Sequence, residues 1–312
     1  MAPKLGYLLP TRERIMEGRH EVAPMLAAAE RAEDLGYDSI WVGDSVLARP
    51  RHEPISLLAG VAARTKKVGL GTAVLLPALR NPVMLAHQVA TVDQISEGRL
   101  ILGVGIATDV PNIRAEFAAA GVPFEKRVGT LLEGLRLCRA LWTGEPVDWD
   151  GRWPIRQGVL APKPARPGGP PIWMGGHVEA AMERAGREFD GWFPSTSTAG
   201  QWGADFAKVK AAAVEAGRDP ADIVGAVYTT IVLDEDADRA TQKIDNFFRQ
   251  YYNAPPEAMK RRSAIYAGPA AGAAEWLAGF AEQGVDHFVL RFAGDGERQL
   301  EAFVKIRERL GW

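Results

Sequence analysis

Few polar side chains in this 312-residue chain fall into spacings that chemistry requires. The five histidines, at positions 20, 52, 87, 177 and 287, form no HExxH pair or other metal-ligating spacing, so no metal centre is expected. There is no GxSxG nucleophile elbow, and Cys138 falls on the apolar stripe of a helical segment, where it reads as a packing thiol. Gly103-Val104-Gly105 follows an apolar run but continues to Thr108, where a dinucleotide fingerprint wants a third glycine, so it supports a Rossmann unit only weakly. Two features remain. Gly175-Gly176-His177 stands between an apolar run and a helical stretch. Backbone N–H groups at a helix start suit a phosphate and glycines let it approach, although a tight turn needs the same two glycines. Asp44 closes another apolar run, where an aspartate either caps the next segment or faces a ligand.

Charge and composition narrow the partners. Lys plus Arg (37) nearly balances Asp plus Glu (39), which gives no electrostatic reason to expect nucleic acid or an anionic membrane. The basic runs Lys66-Lys67 and Lys260-Arg261-Arg262 read as solvated faces. One cysteine forms no intramolecular disulfide, which fits a reducing compartment. The start of the chain lacks the pattern of a signal peptide, and no apolar run approaches the roughly 18–20 residues of a membrane span. The expectation is a cytoplasmic protein acting on a small molecule.

The elements that must position these residues alternate along the chain. Eight short apolar runs read as strands: Lys4–Leu9, Asp38–Asp44, Val68–Leu76, Arg99–Gly105, Pro171–Gly175, Gly191–Pro194, Val224–Leu233 and His287–Phe292. Helical stripes lie between them. One carries Val22, Met25, Leu26, Ala29, Ala32 and Leu35 and stops at Gly36; another runs from Pro82 to Ile95 with Asn81 as its cap. A third, from Arg127 to Trp142, turns Val128, Leu131, Leu132, Leu135, Cys138 and Leu141 inward. Later helices are expected at Val178–Arg187, Trp202–Ala216, Ala237–Tyr252, Ala270–Gln283 and Glu297–Leu310. Such alternation predicts an α/β fold, a single (β/α)8 TIM barrel over residues 1–312. Gly144–Pro170 reads as an irregular insertion before strand five, and an extended segment separates strands seven and eight.

The segment Val68–Gly105 carries a specific pattern: Asn81-Pro82, Ala90-Thr91, Asp93 and Ser96-Glu97-Gly98-Arg99 leading into the fourth strand. Ile40-Trp41-Val42-Gly43-Asp44, Gly121-Val122-Pro123-Phe124, Arg127, Pro162-Lys163-Pro164, Ile172-Trp173-Met174-Gly175-Gly176 and Asp190-Gly191-Trp192 agree with it in order. Together they resemble the bacterial luciferase-like superfamily of F420-dependent oxidoreductases and flavin-dependent monooxygenases, nearly end to end and weakest after Gly217.

The resemblance implies an enzyme that exchanges hydride between F420 and a small organic substrate at the carboxyl ends of the strands. The alternatives are an FMN-dependent monooxygenase served by a separate reductase and a non-catalytic flavin-binding protein. A homodimer is implied as well. Asp44 becomes the candidate for facing the cofactor and for orienting or proton transfer; Ser45 follows it where many relatives have histidine, and His52 lies further along the same loop. Ala73-Val74 would form a bulge with a non-prolyl cis peptide bond under the ring, and Thr72 before it would be a further cofactor contact. Thr108 and Asn112 would meet the ring edge or ribityl chain, and Gly175, Gly176 and His177 the phosphate. Arg127 would either assist there or make an ion pair at its helix start. Trp41, Trp192, Phe193 and the cluster Phe247, Phe248, Tyr251 and Tyr252 are pocket-wall or core residues. Arg291, ending the eighth strand, would hold an anionic substrate or the cofactor tail, or form a structural salt bridge.

Overall fold

A computed structural model describes residues 2–196 and 198–312. All eight apolar runs become strands: β1 (Lys4–Leu8), β2 (Ser39–Val42), β3 (Gly69–Thr72), β4 (Leu100–Val104), β7 (Ile172–Met174), β8 (Gly191–Trp192), β9 (Val224–Leu233) and β11 (His287–Phe292). Three others join them: β5 (Val147–Trp149), β6 (Ile155–Gly158) and β10 (Ala264–Gly268). The sheet order is β10-β9-β11-β1-β2-β3-β4-β7-β8, and β8 pairs back onto β9. Eight parallel strands thus close into the expected (β/α)8 barrel. β10 stands outside the ring of eight. It pairs with the second half of β9, Thr229 to Leu233, whereas β8 pairs with Val224 and Gly225 at its start.

The stretch expected to be irregular holds an antiparallel pair, β5 with β6. At three and four residues these strands are too short to display an alternating pattern. Among the described residues, no helix is long and apolar enough to cross a membrane.

The chain forms two compact units, residues 1–41 with 172–312, and residues 42–171. In the first, β1 lies between β11 and β2, with Gly6 opposite Val289 and Ser39. A Cβ on Gly6 would collide with Trp41 and Ser39, so this position faces the interior and only glycine fits it. Trp41 packs there against Phe193, Trp173 and His287, with ring centroids at 5.2, 5.4 and 5.5 Å. The Trp41 indole donates to the Ser39 hydroxyl at 2.7 Å, and Ser39 shares a 2.7 Å hydrogen bond with His287 Nε2.

In the second unit, the helix Pro82–Ile95 starts as expected, with the Asn81 side chain accepting from Val83 N and Met84 N. The helix Arg127–Leu141 packs on it. Cys138 is fully buried with its thiol on the Pro82 carbonyl, and the Trp142 indole donates to Ala86 O at 3.0 Å. Burial pushes the Cys138 thiol up to about 12, so it stays protonated and packs, as its place on the stripe implied. Val128 and Leu132, read as inward, are only half-buried at the margin of that face.

Candidate active site

In the 42–171 unit, three strand ends are stitched by backbone hydrogen bonds. Ala73 N donates to Val42 O at 2.7 Å, Leu75 N to Gly103 O at 2.7 Å and Gly105 N to Leu75 O at 2.9 Å. The Ala73-Val74 peptide bond is cis, as the resemblance implied. A Cβ on Gly105 would sit 2.7 Å from a Val74 methyl, so glycine there lets β4 close against the bulge. Ala73 and Val74 are half-buried, whereas the Thr72 hydroxyl is wholly buried and donates to Gly103 O at 2.8 Å. Thr72 therefore holds β4 and offers a ligand no side chain. This corrects its assignment as a cofactor contact.

Asp44 is placed differently from expectation. Its side chain is 1% exposed and forms a two-pronged ion pair with Arg80, Oδ2 to Nη1 at 2.6 Å and Oδ1 to Nη2 at 3.0 Å. Oδ2 also accepts from Leu76 N at 2.8 Å. Both oxygens are thus engaged within the fold, by the Arg80 guanidinium and the Leu76 amide. It positions the loop after β3. Arg80 reaches further, to Glu53 at 3.1 Å, and Glu53 caps the helix Pro54–Arg64 by accepting from Ser56 N. Burial works against the Glu53 carboxylate, but Ser56 and Arg80 outweigh it and hold its pKa below the ordinary value.

Ser45 carries no catalytic geometry either. Its hydroxyl donates to Glu116 Oε1 at 2.9 Å, and the same oxygen accepts from Val46 N, Leu47 N and Ala48 N at 2.5, 2.7 and 3.2 Å. Glu116, on the helix Pro111–Ala119, is 2% exposed. One carboxylate oxygen thus gathers the loop after β2. Sequence reasoning missed both Arg80 and Glu116, because their partners lie 36 and 71 residues away. The usable signal was a carboxylate on the buried face of a helix that otherwise buries Ile113 and Phe117.

The loop after β4 carries Thr108 and Asn112, both exposed; Asn112 Nδ2 donates to Ala48 O at 3.2 Å. Ala107 between them and the strand takes a left-handed φ of 64°, a conformation that side chains disfavour and that clusters at functional loops. Arg127 donates to Ile106 O at 3.0 Å and to Phe124 O at 2.9 Å, with its guanidinium 3.8 Å from the Phe124 ring centre. It fixes this loop, so neither the phosphate role nor the helix-start ion pair describes it.

In the other unit, Gly175 is buried and Gly176 is exposed with φ 107°. His177 is exposed, and the helix Glu179–Glu188 begins with Val178 and no side-chain cap. Ala181 N is taken by Val178 O at 2.8 Å, which leaves the first two N–H groups for an anion and fits the phosphate-bearing tail of a flavin-type cofactor. The acidic Glu179 in the first turn opposes that field.

Three residues expected to touch substrate are enclosed. Trp41 is 0% exposed within the aromatic layer described above. Trp192 is 0% exposed, stacks on Phe206 at 6.0 Å, packs tilted against Trp202 at 5.6 Å, and donates to Gly176 O at 2.8 Å. It sits between strand and helix because strand alternation turns it outward. Arg291, 2% exposed, donates to Thr230 Oγ1 at 3.1 and 2.6 Å and to the Tyr252 hydroxyl at 2.9 Å. Rings of Phe247, Tyr251, Tyr228 and Tyr252 surround its guanidinium at 4.8, 4.8, 5.1 and 5.4 Å. This is an aromatic cage, neither a substrate clamp nor the expected salt bridge.

Residues 3–311 match the luciferase-like monooxygenase family. The chain belongs to that family. Among curated relatives, this luciferase-like chain is 32% identical over 212 residues to a 5,10-methylenetetrahydromethanopterin reductase of Methanolobus tindarius, covering 68% of this chain and 62% of that one. It is 27% identical over 333 residues to an F420-dependent glucose-6-phosphate dehydrogenase of Rhodococcus erythropolis, covering 98% and 96%. Several matches are shorter: the first three such relatives are spanned over 62%, 65% and 66% of their length. An F420-dependent secondary alcohol dehydrogenase, solved with an F420–acetone adduct, superposes with a TM-score of 0.84 at 21% identity, covering 99% of each chain. A long-chain alkane monooxygenase gives 0.82 at 15%, covering 100% of this chain and 92% of that one. At such identities, the structural likenesses establish the fold alone.

Proposed function

We propose that this luciferase-like protein is an F420-dependent oxidoreductase that transfers hydride between F420 and a small organic substrate. The observation that carries the reading is the end-to-end family match, together with F420-dependent relatives that include one covering 98% of the chain. When bound, F420 supplies a two-electron deazaflavin ring that exchanges hydride. This chain's own part is to hold and orient. The half-buried Ala73-Val74 segment, closed on by Gly105, is the surface for the ring. The uncapped start of the helix Glu179–Glu188, with Gly175, Gly176 and His177 before it, is the phosphate site. Thr108 and Asn112 supply the exposed polar groups of the loop after β4. Asp44, locked to Arg80, keeps the loop after β3 in place.

The second reading, an FMN-dependent monooxygenase, is favoured by the matching family's own description and rests on the same residues. Titration of the purified chain with F420 and with FMN separates the two. Saturable F420 binding with little FMN binding, followed by substrate-dependent bleaching or gain of the deazaflavin absorbance, supports the first. Tight FMN binding without F420 binding replaces it with the second.

A further inference from the structure

In the unit formed by residues 1–41 and 172–312, β9 and β11 set a phenol and a buried cation on the inner wall. Tyr228 stands opposite Val289 in their register, and Thr230 opposite Arg291. His287, two positions before Val289, packs on the inward Trp41, so alternation turns Val289 and Arg291 inward, and Tyr228 and Thr230 with them. The rings agree: Tyr228 lies 6.3 Å from Phe193, which itself packs on Trp41 at 5.2 Å. Val227 and Thr229 on either side are 0% exposed, whereas Tyr228 is only half-buried. An inward side chain of a closed barrel is reached through the barrel's open end, so Tyr228 borders the space a ligand enters.

A fixed charge stands behind this phenol. The Arg291 guanidinium lies 5.1 Å from the Tyr228 ring centre. Thr230 and Tyr252 hold it by hydrogen bonds, yet among the described residues it forms no ion pair. Glu13 is the carboxylate whose field reaches it, from beyond ion-pair range. A buried cation compensated in this way favours negative charge developing beside it. Burial lifts the Tyr228 pKa well above its ordinary value, and Arg291 offsets only part of that. The phenol is therefore protonated at neutral pH and available as a donor.

We infer that the site takes a ketone whose oxygen accepts a hydrogen bond from the Tyr228 hydroxyl, and that Tyr228 is its proton donor. The inference rests on the hydride-transfer reading above. When hydride from the reduced deazaflavin adds to the carbonyl carbon, the C=O π pair moves to the oxygen and the Tyr228 proton follows it there. The products are an alcohol, the oxidised cofactor and a tyrosinate; water reprotonates the tyrosinate and takes up the proton that the reduced ring releases with its hydride. Arg291 acts through Tyr228 without touching the substrate, because its charge stabilises both alkoxide and tyrosinate. A cationic acceptor such as an iminium meets the same field with the opposite sign.

The test reads the phenol without turnover. Acetophenone labelled with carbon-13 at its carbonyl is titrated into the full chain, alone and saturated with oxidised F420, and followed by NMR. The expected result is saturable binding with a downfield shift of the carbonyl resonance, because a donor polarises the C=O bond. Tyr228→Phe keeps the ring between Phe193 and Arg291 and should fold. It should abolish the shift and weaken acetophenone by about fivefold, with F420 affinity as in the parent. Ethylbenzene, of similar shape but without the oxygen, should bind parent and variant alike. No binding of acetophenone, or equal shift and affinity in parent and variant, would overturn the assignment. F420 failing to bind while acetophenone still responds to Tyr228 would overturn the hydride-transfer reading and not the carbonyl site.

Discussion

Arg80 grips Asp44 with both guanidinium nitrogens, at 2.6 and 3.0 Å, while the aspartate side chain is 1% exposed and the arginine 15%. A bidentate pair at this depth is a fixture of the loop after β3 and not a reagent. Removing one partner leaves the other poorly compensated. Asp44→Asn should therefore cost about 3 kcal/mol, and Asp44→Asn combined with Arg80→Met should cost less than the sum of the two changes. Urea unfolding of the three variants gives the cycle. A fully stable Asp44→Asn variant that loses only turnover would return the aspartate to the chemistry.

Glu116 organises the loop after β2 through one oxygen, so its charge matters more than its volume. In Glu116→Gln, the amides of Val46, Leu47 and Ala48 lose a charged acceptor. Hydrogen exchange there should quicken by about tenfold, and global stability should fall by about 1–3 kcal/mol. Unchanged protection at Val46 and Leu47 would show that other contacts hold this loop.

Gly176 combines a φ of 107° with a Cβ position only 3.1 Å from Ala181 Cβ. Valine there both strains the backbone and crowds the helix start where the phosphate is assigned. The expected outcome is an F420 dissociation constant raised by about tenfold with little change in the circular dichroism spectrum. Equal affinity in the variant would move the phosphate elsewhere.

His287 is fully buried, and burial first, then Lys4, depresses its pKa to about 3. The folded state keeps it neutral while the unfolded chain binds a proton below about 6.5. Between these two values the unfolded state holds more protons, so stability falls as pH drops from about 6.5 toward 3, by up to about 1.4 kcal/mol per pH unit. In His287→Asn this slope should flatten by that amount when denaturation is followed from pH 6 to 4. The same slope in both proteins would mean that the histidine is protonated in the fold.

The strand runs were readable because eight parallel strands covered by helices are continuously apolar, and β9 spans Val224–Leu233 as read. Helix starts were readable where local chemistry sets them: Asn81 and Pro82 define theirs to the residue. β10 escaped notice because Ala264–Gly268 is short and gains its strand character only by pairing with β9. The site divides in the same manner. Gly176 was legible because glycine alone tolerates its positive φ, whereas the 2.7 Å approach of Val74 that requires Gly105 shows only in the fold.

The role of a polar side chain is a different matter, since it depends on what faces it across the fold. Asp44 and Arg291 stand at strand ends, where a barrel keeps its chemistry, and the sequence offered no way to see Arg80 closing on the one or four aromatic rings on the other. The order of apolar runs, caps and glycines by itself determined the (β/α)8 architecture, and the ordered motifs from Ile40–Asp44 to Asp190-Gly191-Trp192 carried the resemblance to the family, because those signals act over a few residues. Tertiary structure alone decided which charged groups are locked and which are open, because an ion pair is formed by groups the chain brings together only after it has folded.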